Sequence, residues 1–125
     1  MSHDATRELV RRYYAAFNLG QREAMLDCLT DDVAHDINEG AREVGKHTFA
    51  AFLERMDRCY SERVEDLVIL ASEDGHRAAA EFTVHGCYIA TDEGLPEAKG
   101  QEYVLPAGAF FSVTDGRIAR VTMYY

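Results

Sequence analysis

The sequence predicts an α+β domain in which helices come first and pack on one face of a curved sheet of long strands. Three observations carry this expectation. Up to Ser61 the apolar residues recur mostly at helical spacing, beyond it they alternate, and the alternating segments are long and joined by turn chemistry. With 125 residues the chain has room for one domain, residues 1–125, with a real core.

The first helix is expected over Asp4 to Asn18, where Leu9, Tyr13 and Phe17 recur every fourth residue with Val10 and Tyr14 beside them. Gly20 supplies its stop. A short helix over Gln21 to Leu29 follows, with Met25, Leu26 and Leu29 on one face and Thr30-Asp31-Asp32 ending it. Val33 to Ile37 and Ala41 to Val44 read as short extended segments around Asn38-Glu39-Gly40. The clearest helix is Lys46 to Tyr60, because Phe49, Phe52, Leu53, Met56 and Tyr60 keep a 3-4 spacing. Arg63 to Ala71 and Arg77 to Ala90 then form a hairpin about Asp74-Gly75, and Glu102 to Val113 joins Arg117 to Tyr125 through Asp115-Gly116. Residues 91–100 are loop chemistry throughout.

Composition narrows the function classes. Thirteen Lys and Arg against 22 Asp and Glu leave a net charge of −9, a sign that repels phosphate backbones and anionic lipid, so neither nucleic acid nor membrane is an expected partner. No apolar run approaches the roughly 18 residues that span a bilayer. The N-terminus lacks the basic flank and apolar stretch of a secretory signal, and a cytoplasmic location is the expectation. Cys28, Cys59 and Cys87 are widely spaced and read as reduced thiols. His35, Asp36, Glu39 and His47 lack the pairing of a zinc motif, so no metal is expected. No glycine-rich phosphate loop or nucleophile elbow occurs, and no cofactor is expected.

Several short motifs stand in a telling order. Arg12 to Gly20 is an aromatic-rich helix closed by Asn-x-Gly, Asp31-Asp32-Val33 leads into a strand, Gly45-Lys46 opens a helix, and Asp115-Gly116-Arg117-Ile118 turns into the last strand. In this order and spacing the chain resembles the NTF2-like superfamily, in its SnoaL-like and ketosteroid-isomerase-related branch. The resemblance implies a cone: three N-terminal helices on a strongly curved, mostly antiparallel sheet enclosing a pocket. It does not fix a function, since the fold hosts enzymes, binding modules and assembly domains.

The resemblance also implies where isomerase chemistry would sit. The family's oxyanion-binding tyrosine falls on Tyr13, its base on Ile37 beside Asp36, and its protonated aspartic acid on Gly108. The tyrosine is present, the acid is missing and the base is displaced by one residue. A one-residue shift on a strand turns a side chain to the other face unless a bulge re-aims it. A regular strand brings His35 and Ile37 to the pocket and leaves Asp36 free to pair with a cation; a bulge brings Asp36 inside. Candidate catalytic residues are therefore Tyr13, His35 and Asp36, with Tyr14 as an alternative to Tyr13. The expected pocket wall comprises Tyr14, Phe17, Ile37, Phe52, Met56, Phe82, Val84, Tyr88, Gly108, Phe110, Val121, Met123 and Tyr125.

These residues suit cofactor-independent proton transfer, of isomerase, cyclase or hydrolase type, on a small apolar carbonyl-containing or cyclic molecule. The other reading is a ligand-binding or dimerisation module without catalysis, which the glycine at 108 favours. Either reading implies a homodimer through the outer face of the long strands, where Val68, Leu70, His85 and Cys87 are expected.

Overall fold

The computed structural model describes residues 2–38 and 40–125; Glu39, in the expected turn and among the metal-ligand types considered, lies outside them. The Ser2 hydroxyl accepts from the Ala5 N–H at 3.0 Å and caps α1 (His3–Leu19), and left-handed Gly20 closes it. The stripe read from the sequence is the buried one: Leu9, Val10, Tyr13 and Tyr14 all face the core. After α2 (Arg22–Asp27) the chain departs from expectation, because Thr30-Asp31-Asp32 lie inside β1 (Leu29–Ile37) and do not end a helix. Leu29 satisfies either period. The sheet takes it: Leu29 pairs with Ile118 and is fully buried.

Beyond the short β2 (Arg42–Val44), α3 (Lys46–Cys59) runs straight into β3 (Tyr60–Ala71) with no loop between them. The alternation in the sequence predicts the strand only from Arg63. Pairing of Tyr60 with Tyr88 on β4 (Arg77–Tyr88) outweighs the helical phase that Tyr60 also fits. The last two strands are β5 (Glu102–Thr114) and β6 (Arg117–Tyr124), turned by Asp115 and Gly116 at φ 50° and 78°. Two consecutive left-handed residues match the twist of a hairpin, which is what Asp-Gly supplies at low cost.

The six strands form one curved, unclosed sheet in the order β2-β1-β6-β5-β4-β3, antiparallel except for β1 on β6. The architecture is the NTF2-like cone. In β3 a register shift between Glu65 and Val68, with Asp66 at φ 56°, marks a bulge of the kind that bends a strand. The helices cover the concave face, where Val10, Val33, Phe111, Ile118 and Val121 close the core. Fully burying each such side chain contributes about 1.5–3 kcal/mol. The convex face carries Val68, Leu70, Val104, Phe110 and Tyr124 in contact with water. Among the described residues no helix is long and apolar enough to cross a membrane.

Candidate active site

A cavity of about 480 Å³ opens between the helices and the concave face of the sheet. Tyr13, Tyr14 and Phe17 of α1 and Phe49, Phe52 and Met56 of α3 wall it from one side, and Phe82, Val84, Leu105 and Met123 of the sheet from the other. Its size and apolar lining are those of a small-molecule site.

One margin of the cavity belongs to β1, whose alternation sends Val33, His35 and Ile37 inward. His35 is only 3% exposed, with the rings of Phe49 and Phe52 centred 4.5 and 4.7 Å away. Burial lowers its pKa to about 4, overriding the opposing pull of Asp36, so the imidazole is neutral at pH 7. Among the described residues neither its Nδ1 nor the Tyr14 hydroxyl has a hydrogen-bond partner, although both atoms are buried. Each such group costs about 1–3 kcal/mol when left unpaired. Tyr13 packs edge-on against Tyr14 at 5.1 Å, and burial raises its pKa, which keeps the hydroxyl a proton donor at neutral pH.

The other margin is polar, and little in the residue pattern announces it. Tyr60 donates to Asp92 at 2.9 Å, and Arg55 reaches both oxygens of the same carboxylate at 3.2 and 3.4 Å. Burial pushes the Asp92 pKa up, but hydrogen bonds from Tyr60 and Arg55 outweigh it and hold the carboxyl below its ordinary value. Nearby, Tyr103 donates to Glu62. Glu62, Gly86 and Tyr103 stand in one row across β3, β4 and β5, and any Cβ at Gly86 would overlap the Tyr103 ring. The glycine lets the tyrosine cross its own strand pair to the carboxylate. Burial, then the Glu62 contact, raises the Tyr103 pKa, so its proton stays on. A signal for Glu62 was present in the alternation, since it is in phase with Tyr60 and Val64 on the inward face of β3.

The SnoaL-like domain profile matches residues 10–121. The chain belongs to the SnoaL-like domain family. A candidate polyketide cyclase of Pseudomonas putida KT2440 is 61% identical, with a TM-score of 0.95 over 100% of this chain and 92% of that one. Another from Xanthomonas campestris pv. campestris is 54% identical, with a TM-score of 0.96 over 98% of this chain and 91% of that one. An LEH-like epoxide hydrolase of M. tuberculosis, 18% identical over 98% of this chain and 79% of that one with a TM-score of 0.76, shares the fold. No curated protein matches the chain.

Within this SnoaL-like domain the residues singled out from sequence separate into two sets. Tyr13, Tyr14, Phe17, His35, Ile37, Phe52, Met56, Phe82, Val84, Met123 and Tyr125 line the cavity. Asp36 does not. It lies on the opposite face of β1, bound by Arg42 at 2.7 and 3.0 Å and by the Thr122 hydroxyl at 2.7 Å, and those bonds lower its pKa to about 2.

Four expected wall residues also lie elsewhere. Phe110 is half-exposed on the convex face against Tyr124, because β5 turns its neighbour Phe111 inward instead. Gly108 shares the phase of Phe110 and lines a shallow convex groove with Glu81, Thr83 and Pro106. Tyr88 stacks on Tyr60 behind the cavity wall, with its hydroxyl donating to the Pro96 carbonyl at 2.6 Å. Val121 is fully buried in the core and does not reach the cavity. Among the described residues no three His, Cys, Asp or Glu side chains gather as a metal would require.

Proposed function

We propose that the cavity binds a small, largely apolar molecule with a carbonyl group on a ring, and moves a proton on it in chemistry of cyclase or isomerase type. The observation that carries this reading is an aromatic-walled cavity whose lining includes Tyr13, with its proton held on, and the neutral imidazole of His35. A carbonyl oxygen accepts from a hydroxyl and from a ring N–H alike. The likeness to candidate polyketide cyclases at 54% and 61% identity supports the same class. Tyr13 is the donor for charge developing on that oxygen. His35 contributes as a neutral hydrogen-bonding group, because a conjugate acid near pKa 4 makes a weak base at neutral pH. Asp36 serves the convex face, not the chemistry.

The same reading includes a homodimer. Val68, Leu70, Val104, Phe110 and Tyr124 leave an apolar convex face of the kind that a second copy covers.

The test uses 2-tetralone, a two-ring ketone, as the probe, with binding followed by calorimetry. His35→Ala should weaken binding about tenfold or more, the worth of a hydrogen bond in a dry site. Asp36→Ala should bind as the wild type does. Loss of binding in Asp36→Ala with His35→Ala unaffected would overturn the reading.

A further inference from the structure

Among the described residues three carboxylates line the cavity, and they are not equivalent: Asp57, Glu62 and Asp92. Asp57 is held by Arg22 at 2.5 and 2.8 Å, and Asp92 by Arg55 and Tyr60. Among the described residues Glu62 forms no ion pair. Its one hydrogen bond among those residues comes from Tyr103 to Oε2, which leaves Oε1 without a donor from them. A carboxylate in a partly apolar cavity, with one oxygen fixed and one free, is suited to accept a proton from a bound molecule. The backbone reinforces this placement, because Gly86 is the one residue type that allows Tyr103 to reach across to Glu62. A salt-bridged carboxylate would have to break its pair before taking a proton.

We propose that Glu62 is the catalytic base of this cavity, that Tyr103 is its positioning residue, and that the substrate is a cyclic ketone with an acidic C–H beside the carbonyl. The proposal rests on the cavity reading above and adds the group that reacts. Glu62 lines the same cavity as Tyr13 and Tyr14, and α1, which carries the tyrosines, packs on β3, which carries Glu62. A ketone whose oxygen lies toward Tyr13 can therefore present the C–H beside its carbonyl to Glu62. In the step, Glu62 Oε1 takes the α-proton, the C–H electron pair forms a C=C bond, and the C=O pair moves onto oxygen as an enolate. Return of the proton from the carboxylic acid to carbon resets the carboxylate. No oxidant, reductant or second substrate is needed.

Deuterium uptake by 2-tetralone in D2O, read by mass spectrometry against the uncatalysed rate, tests this directly. Glu62→Gln should lose at least about a hundredfold in kcat, the usual worth of a general base, while calorimetric affinity stays within about threefold. Tyr103→Phe should lose about tenfold in kcat with KM unchanged, a split that a merely structural role would not give. Glu62→Asp retains the charge with a shorter reach and should fall between the wild type and Glu62→Gln; it carries the test if Glu62→Gln fails to fold. Exchange by Glu62→Gln within about threefold of the wild type overturns the assignment of the base and leaves the cavity reading intact. A wild-type protein that binds 2-tetralone without exchanging it overturns the assignment as well. Absence of binding by the wild type overturns the cavity reading and the assignment together.

Discussion

Residues one apart on the same strand occupy different media in this molecule. On the concave side His35 lies among phenylalanine rings and burial strips its proton; on the convex side Asp36 meets Arg42 and Thr122 and loses its own proton for the opposite reason. Both pKa values fall. One group becomes neutral because charge is expelled, and the other is held charged because charge is matched. Phe111 and Phe110 repeat the contrast with hydrocarbon, the first fully buried and the second half in water. A strand therefore assigns the meaning of a residue by its parity, and chemistry that needs dry surroundings is available on one face only.

The largest expected effect that sharpens this contrast is on packing. Phe111→Ala should destabilise the fold by about 3–5 kcal/mol, whereas Phe110→Ala should change monomer stability by less than about 0.5 kcal/mol and act mainly on self-association. Urea unfolding and light scattering measure the two. Equal destabilisation by both would break the distinction between the faces.

A smaller effect concerns acid. The His35 pKa is about 4 in the fold against an ordinary 6.5, so the unfolded chain binds the extra proton first. Its contribution is complete above pH 6.5 and declines as the pH falls through 4, by about 3 kcal/mol in all. His35→Leu should flatten the stability profile in that window. The Asp36 contribution falls away only lower, between pH 3.8 and about 2, so the two faces titrate in separate ranges.

Smallest is Gly86→Ala. The added methyl displaces the Tyr103 ring, for a cost of about 1–3 kcal/mol. Its sharper consequence is separation of Tyr103 from Glu62, visible as a fall of the raised Tyr103 pKa toward its ordinary value in an ultraviolet titration. An unchanged titration would show that the row across the three strands is not under strain from that position.

Most of the fold was legible because its signals are periodic and repeated along many residues, as in α1 and α3. What failed to read was decided by single residues that satisfy two patterns at once. Leu29 fits the end of α2 and the start of β1, and only its pairing with Ile118 settles it. Phe110-Phe111 is apolar in both phases, so no pattern of polarity could tell inside from outside. The inward turn of His35 was readable from the alternation of β1, given a regular strand. The polar margin of the cavity was not, because Arg55, Tyr60, Asp92 and Tyr103 come from a helix, two strands and a loop that only tertiary contacts bring together.

The join of α3 to β3 without a loop has a mechanical result. Cys59 ends the helix and its carbonyl accepts from the Ile89 N–H at 2.8 Å and the Ala90 N–H at 3.2 Å, while Tyr60 begins the strand and holds Asp92. A slack connection would let the helix shift while the strand stood still. Here there is no slack, so Phe52 and Met56 on the helix and the Tyr60–Asp92 clamp at the head of the strand are fixed to one rigid unit, and the aromatic wall and the polar margin keep one spacing.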